Sequence, residues 1–406
     1  MHGSRNATSR KYRFPHRWRA STAALACFLA AATGCARSIE TEASDPAPAA
    51  SGSDLSRTTD LEAAYLIGPD TARELGYRIK WQYPYAGANI RTVSAQGDSV
   101  FVIDGRNFLT RLDREEGRRI WSLAVGTGPL DEILGITYIP REEKIILTTG
   151  GALLLLDSST GSQIGKQKLE KIANTAPLRL GNHLVYGSRN GQLCWHAWDL
   201  DAPWRSYQVS PSIKLPPVYE DGKLIVVGND GRIMVLMADL ASQLWSRKLL
   251  DRVVAGPVAG RGVLYVADLN HTLWAFDLNQ QRSALWHYLT ESPLTESPVL
   301  LGDRVYQHIP TEGLVCFEAR PVDSPGGKVI WSCEESRGNV VFQRGNELYV
   351  WDDEAGRMEI VDATYGSLIR TVNLARASHL LTSNFTGSEL YAAGADGRVI
   401  RLTPRN

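Results

Sequence analysis

The chain has 406 residues, 43% of them hydrophobic, with 44 basic and 44 acidic side chains and no formal net charge. That hydrophobic content excludes a wholly disordered chain, and the length leaves room for two or three domains. The six Lys and Arg of residues 1–34 meet no acidic residue there, so the remainder holds 38 basic against 44 acidic groups, a net of −6. An acidic body argues against a nucleic-acid binder, whose electrostatic footprint is basic.

Residues 1–19 are basic and acid-free, and residues 20–34 form an apolar run of mostly small side chains. The run is short of the roughly 20 apolar residues that a spanning helix needs and reads as a secretory signal peptide. It ends Leu29-Ala30-Ala31-Ala32-Thr33-Gly34-Cys35, which resembles the lipobox of bacterial lipoproteins, with Ala32 where Leu is usual. The resemblance implies that Cys35 is the lipid-attachment residue. With Ala36 behind it, it also implies transfer to the periplasmic face of the outer membrane. An ordinary signal peptide with an incidental cysteine is the plainer alternative.

Residues 36–60 are rich in Ser, Thr, Ala, Pro, Asp and Glu with hardly a bulky apolar side chain, the composition of a flexible tether. A short helical turn is expected at 70–75. The organisation expected is a signal over 1–34, a lipid-attachment Cys and tether over 35–76, and a folded body over 77–406. Cys27 lies in the signal, which leaves Cys194, Cys316 and Cys333. Cys316 and Cys333 could form a disulfide in an oxidising compartment; two buried thiols are equally open, because spacing does not fix connectivity.

From about residue 77 a unit of roughly 40 residues recurs. Its opening turns are Gly97-Asp98, Gly181-Asn182, Asp221-Gly222, Gly260-Arg261-Gly262, Gly302-Asp303, Gly345-Asn346 and Gly387-Ser388, with a degenerate copy at 141–144. Second turns such as Asn190-Gly191, Asp230-Gly231 and Asp396-Gly397 separate apolar runs and are strong hairpin signals. Late in each unit comes a tryptophan, at Trp81, Trp121, Trp204, Trp245, Trp286 and Trp331, with Gly165 and Arg370 in the two remaining slots. Pro177, Pro217, Pro257 and Pro298 follow the same beat and suit a strand at a sheet edge.

Four short strands per repeat of about 40 residues signify a β-propeller, one blade per repeat. The last repeat stops before its Trp strand, while Trp81 has no opening turn before it. The two halves complement each other. The expectation is therefore an all-β, eight-bladed propeller of four-stranded antiparallel blades, its last blade closed by the N-terminal strand.

The later half of the unit, in Leu112-Asp113 through Gly117 to Trp121, in 153–157 with Thr160-Gly161, and in Val361-Asp362 through Gly366, resembles the quinoprotein-like repeat. Leu264-Tyr265-Val266 and Leu348-Tyr349-Val350 resemble its strand. Two branches of that superfamily are relevant. One holds the dehydrogenases dependent on pyrroloquinoline quinone; the other holds lipid-anchored, non-catalytic periplasmic propellers of the BamB type, which serve outer-membrane protein assembly. Length and order of parts resemble the second.

Catalytic and metal motifs find little support. No two cysteines are adjacent, as the vicinal pair of the dehydrogenase branch requires. The eight histidines are scattered without metal-ligand spacing, so zinc has no pattern behind it. Gly187-Ser188-Arg189-Asn190-Gly191 has the wrong order for a nucleophile elbow and falls on a hairpin turn. The expectation is a monomeric scaffold, without cofactor or metal, held to the membrane by its lipid and binding a protein of outer-membrane assembly. Asp131-Glu132 and His308-Ile309-Pro310-Thr311 are candidate contact loops. A propeller binding a small molecule or glycan over its axis is the alternative, ahead of a pyrroloquinoline quinone-dependent dehydrogenase.

Overall fold

Runs such as Lys223–Val227 and Val263–Asp268 are rich in β-branched and apolar residues and lack the in–out alternation of a half-exposed sheet. All six residues of Val263–Asp268 are buried, the mark of a strand covered on both faces. In the computed structural model, which describes residues 60–84, 89–280, 284–382 and 389–405, these runs are the middle strands of eight four-stranded antiparallel sheets. Blades 1 to 7 follow in chain order at 90–124, 133–168, 178–208, 218–248, 258–289, 299–333 and 339–373. Blade 8 combines 377–404 with the Tyr77–Pro84 strand.

First strands of neighbouring blades touch one another, so the first strand of each blade lies nearest the axis and the fourth at the rim. Eight hydrophobic clusters form the core, one in each joint between consecutive blades. This ring of thin layers lets one domain exceed the size at which a single core normally splits.

Rim strands are mostly exposed apart from one inward residue next to a bulge. Register assigns that slot to Trp81, Trp121, Gly165, Arg205, Trp245, Trp286, Trp331 and Arg370. Each of the five indoles donates its N–H to a backbone carbonyl just after the third strand of the next blade. The acceptors are Arg114, Ser158, Leu278, Ala319 and Ala363, at 2.7 to 3.3 Å. For Trp81, Trp121, Trp286 and Trp331 the ring lies on a glycine of that turn, at Gly117, Gly161, Gly327 and Gly366. Gly161 has φ +72°, and a Cβ there would come 2.6 Å from the Trp121 ring, so both the backbone and the contact require glycine.

Where the slot is not Trp, another donor reaches the same place. In blade 2, where the slot is Gly165, Gln167 two residues further on donates to the Trp198 carbonyl of the following blade at 2.7 Å. In blade 3, Arg205 donates to the Leu240 and Ala241 carbonyls at 2.8 and 3.1 Å. The slot of blade 3 is therefore Arg205, and the expectation of Trp204 is corrected by one residue. Trp204 turns outward and is 45% exposed.

The joint between blades 7 and 8 has no such turn to dock on, because the third and fourth strands of blade 8 come from opposite ends of the chain. Arg370 pairs instead with Glu347 of its own blade at 2.9 Å. A helix at Pro69–Glu74 fills the place, with Leu66, Ile67, Ala72 and Leu75 buried in the cluster of this joint. Arg344 holds the Gly76 carbonyl at 2.6 and 2.9 Å, and Tyr349 donates to the Leu75 carbonyl. Arg376 reaches the carbonyls of Glu62, Ala63 and Tyr65. The packed body thus starts before residue 77, and the described residues 60–76 act as a clasp across the seam rather than as tether. The signal, Cys35 and the tether up to residue 59 lie outside the described residues.

Cys316 and Cys333 are free, buried thiols, which corrects the disulfide expectation. Cys316 faces Trp331 and Cys333 faces Leu314 on adjoining strands, so the two cysteines are diagonal neighbours. Diagonal Cα atoms lie about 7–8 Å apart in a sheet, beyond the reach of about 4.4–6.8 Å that a disulfide spans.

Candidate functional site

The joint between blades 3 and 4 is one of three without a docked slot indole, and it differs from the other two in the rings it gathers. Its buried indole comes from the third strand: Trp195 faces Arg205 and is 1% exposed. The Trp195 Nε1–H has no acceptor among the described residues, whereas each slot tryptophan has one. Trp204, pushed outward by the neighbouring Arg205 slot, lays its ring against His183 at 4.8 Å and edge-on to Trp195 at 6.3 Å. The Arg205 guanidinium sits 5.3 Å from the centre of the Trp204 ring. Local breaks in a repeated rule are where function is expected to lie.

Around this break the surface turns apolar. Leu200, Trp204, Tyr219, Met237 and Leu240 are 75%, 45%, 47%, 36% and 58% exposed, and they come from the rim strand of blade 3 with the turn before it and from the first strand, the third strand and the turn after it in blade 4. Two adjoining grooves run through them. One, of about 350 Å³, is lined by Leu180, His183, Trp195, Trp204, Tyr219 and Asp239. The other, of about 420 Å³, continues past Tyr219 and Asp239 to Asp221, Lys223, Met237 and Leu244. Exposed apolar residues gathered into one patch mark an interaction surface, whereas single ones do not.

Four aspartates surround the patch. Asp199 accepts from Asn182 at 2.7 Å, and Asp239 accepts the Leu240 N–H at 2.8 Å. Asp221 has Lys223 only at 3.9 Å. Asp201 lies 3.8 Å from His196, and burial pushes the pKa of that imidazole down against the pull of Asp201. The positive charge nearest the aromatic rings, Arg205, is committed to carbonyls. The surface therefore presents aromatic and thioether groups with an acidic margin, which suits a partner that brings apolar side chains together with a cation.

The expected contact loops are less available. The Asp131 carboxylate accepts the Gly128 N–H at 2.9 Å, and Glu132 pairs with Arg91 at 2.5 Å. His308 is half-buried with its pKa lowered by burial, and Arg337 ties down the Pro310 carbonyl. Sequence reasoning did not find the blade 3–4 joint. The available signal was the crowding of Trp195, Trp198 and Trp204 within ten residues.

A family model described as outer membrane protein assembly factor BamB matches residues 78–186 and 181–332, more than half of the chain. The chain spans about two-fifths of the length of the first curated relatives it matches. One of these, the uncharacterized protein RP232 of Rickettsia prowazekii, is 24% identical over 157 residues, 37% of this chain and 38% of that protein. The outer membrane protein assembly factor BamB of Shewanella oneidensis is 23% identical over 299 residues, 74% of this chain and 55% of that one. Among solved structures, BamB from Moraxella catarrhalis superposes with a TM-score of 0.60 at 19% identity, covering 80% of this chain and 98% of that one, a likeness of fold. By the extent of the family match, the chain belongs to the family of the outer membrane protein assembly factor BamB.

Proposed function

We propose that this protein is a non-catalytic, lipid-anchored periplasmic propeller that docks a protein partner of outer-membrane protein assembly through the joint between blades 3 and 4. The observation that carries the reading is the break at that joint, in a chain of this family: Arg205 in the slot, Trp195 without an acceptor, and Trp204 and Tyr219 turned outward. A rigid ring is suited to holding a partner at one joint, since the rest of the disc supplies order without moving. The lipobox-like Cys35 supports attachment to the outer membrane, with the acidic body on the periplasmic side.

The test is co-purification from detergent-solubilised membranes. The wild-type chain is expected to bring down the barrel subunit of the assembly machinery. Trp204→Ala with Tyr219→Ala is expected to lose it while keeping the wild-type melting temperature. Retention of the same partner by the double variant would exclude this joint. In a parallel experiment Cys35→Ser is expected to abolish radiolabelled palmitate incorporation and to release the chain from membranes; an unchanged label would remove the anchor from the account.

One observation favours a second reading. The groove of about 350 Å³ falls within the size range of small-ligand clefts, and three of its four rings, His183, Trp204 and Tyr219, suit the apolar face of a sugar. Oligosaccharides that raise the melting temperature of the wild type but not of Trp204→Ala would favour that reading over protein docking.

A further inference from the structure

The register that fixes the slot also fixes the residue after it, which turns to the opposite sheet face, toward the preceding blade. In seven blades this position holds Gln82, Ser122, Ser206, Ser246, His287, Ser332 or Thr371. A serine lies flat here, as Ser246 does by donating to the Ile233 carbonyl of its own sheet at 2.9 Å. Blade 2 alone puts a lysine in this position, Lys166, opposite Leu154. Two residues on, Lys168 stands on the same face opposite Ala152. At that second position the other blades hold one further lysine, Lys248, and Asp230 pairs with it at 2.7 Å. Lys166 and Lys168 are both exposed, and neither has an acidic partner among the described residues.

The two lysines border a groove of about 550 Å³ over the joint between blades 1 and 2. Its floor is Val125, Leu130, Ala152 and Leu154, the last two only 6% and 7% exposed. The wall facing the lysines is the loop that carries Asp131. Gln163 and Lys168, the two ends of one rim strand, both line the groove. It therefore follows that strand for about 17 Å, the length of about six extended residues. The Asp131 carboxylate is turned to the Gly128 N–H at 2.9 Å, so two unpaired ammonium groups face one carboxylate that already has a donor. We propose that this groove binds an extended acidic segment of a partner polypeptide, with apolar side chains on the floor and alternate carboxylates on Lys166 and Lys168. An extended chain of alternating apolar and acidic residues puts the two kinds on opposite faces, which matches an apolar floor with cations standing beside it. An acyl chain fits less well. It would take water from the Gln163 amide and the Asp131 carboxylate without returning a hydrogen bond, whereas a peptide backbone offers partners to both. The groove is separate from the blade 3–4 joint and does not depend on docking there.

The probe is a fluorescein-labelled, eight-residue peptide of alternating valine and glutamate, titrated with the purified full chain in detergent and read by anisotropy. Saturable binding is expected, at least tenfold weaker for Lys166→Ser with Lys168→Ala. That pair gives blade 2 the residue types that blade 1 carries at Ser122 and Ala124. Lys166→Arg with Lys168→Arg, and Trp204→Ala, are expected to bind as the wild type does. Carbodiimide, which joins a carboxylate to an amine in contact with it, is expected to couple the peptide to Lys166 or Lys168. No saturation, equal binding by the Lys166→Ser, Lys168→Ala variant, or coupling spread evenly over other lysines would each overturn the proposal. Displacement of the peptide by phosphatidylglycerol, but not phosphatidylcholine, added to the micelles would assign the groove to an anionic lipid and overturn it. Coupling of Lys166 to a carboxylate within residues 36–59 of the same chain would assign the groove to the chain itself, with the same consequence.

Discussion

Replacing Trp286 and Trp204 in parallel tests whether the slot, rather than tryptophan as such, holds the ring together. Trp286 is 1% exposed, stacks on Phe317 at 5.6 Å and 21°, lies 5.9 Å from Tyr265, and donates to the Ala319 carbonyl at 3.0 Å. An indole of this kind buries about 150–250 Å², worth about 4–6 kcal/mol gross at about 25 cal/mol per Å². The alanine retains part of that area and the neighbours relax in part, which places the expected loss for Trp286→Ala at about 3–5 kcal/mol. Trp286→Phe keeps most of the area. The Ala319 carbonyl still accepts from the Tyr265 hydroxyl at 3.0 Å, so this variant should lose only about 1 kcal/mol. Trp204 is 45% exposed and carries no inter-blade hydrogen bond among those described, so Trp204→Ala should stay within about 0.5–1 kcal/mol of wild type. Urea unfolding followed by far-ultraviolet circular dichroism reads all three without depending on indole fluorescence. A loss for Trp204→Ala equal to that for Trp286→Ala would refute the register-based slot.

Three further outcomes are expected. Gly161→Ala should destabilise by about 2 kcal/mol or more, combining a positive φ with the approach to Trp121; a neutral result in the same urea assay would contradict the turn-and-ring contact. The His196 imidazole titrates below its ordinary 6.5 because of burial, so the unfolded chain binds the extra proton first. Stability from this group is full above about pH 6.5 and declines, by at most about 1.4 kcal/mol per pH unit, as the pH falls through that value; His196→Gln should flatten urea midpoints measured between pH 5 and 7. Burial pushes the Cys194 thiol up to about 11 and the Cys316 thiol up to about 12, and raises that of Cys333. In Cys35→Ser protein without residues 1–34, Ellman's reagent should therefore find three thiols after denaturation and almost none before it; a single thiol after denaturation would reinstate a disulfide.

The ring was legible because its signal is periodic. Glycine turns, apolar runs and a late tryptophan recur at about 40 residues, and the complementary halves at the two ends announce the closure of blade 8. Position 205 lies 40 residues after Gly165 and 40 before Trp245, so spacing alone could have favoured Arg205 over Trp204. The preference for tryptophan as a residue type overrode it. The clasp was partly hidden, because Leu66, Ile67 and Leu75 gain meaning only beside Tyr349, Ile360 and Ile400, some 275 to 335 residues later. The disulfide alternative failed on a two-residue offset that spacing cannot display. The candidate site was not legible for the same kind of reason. It joins the rim of blade 3 to the first and third strands of blade 4, and outward-turned rings leave no mark on the period.

The central claim is that the blade 3–4 joint is the docking surface of this propeller. A photocrosslinking amino acid placed at Tyr219 in living cells, with a second placed at the exposed Tyr365 of blade 7 as control, tests it most directly. The account predicts an adduct between position 219 and the barrel subunit of the outer-membrane assembly machinery, and none from position 365. An adduct from 365 with silence at 219 would contradict it.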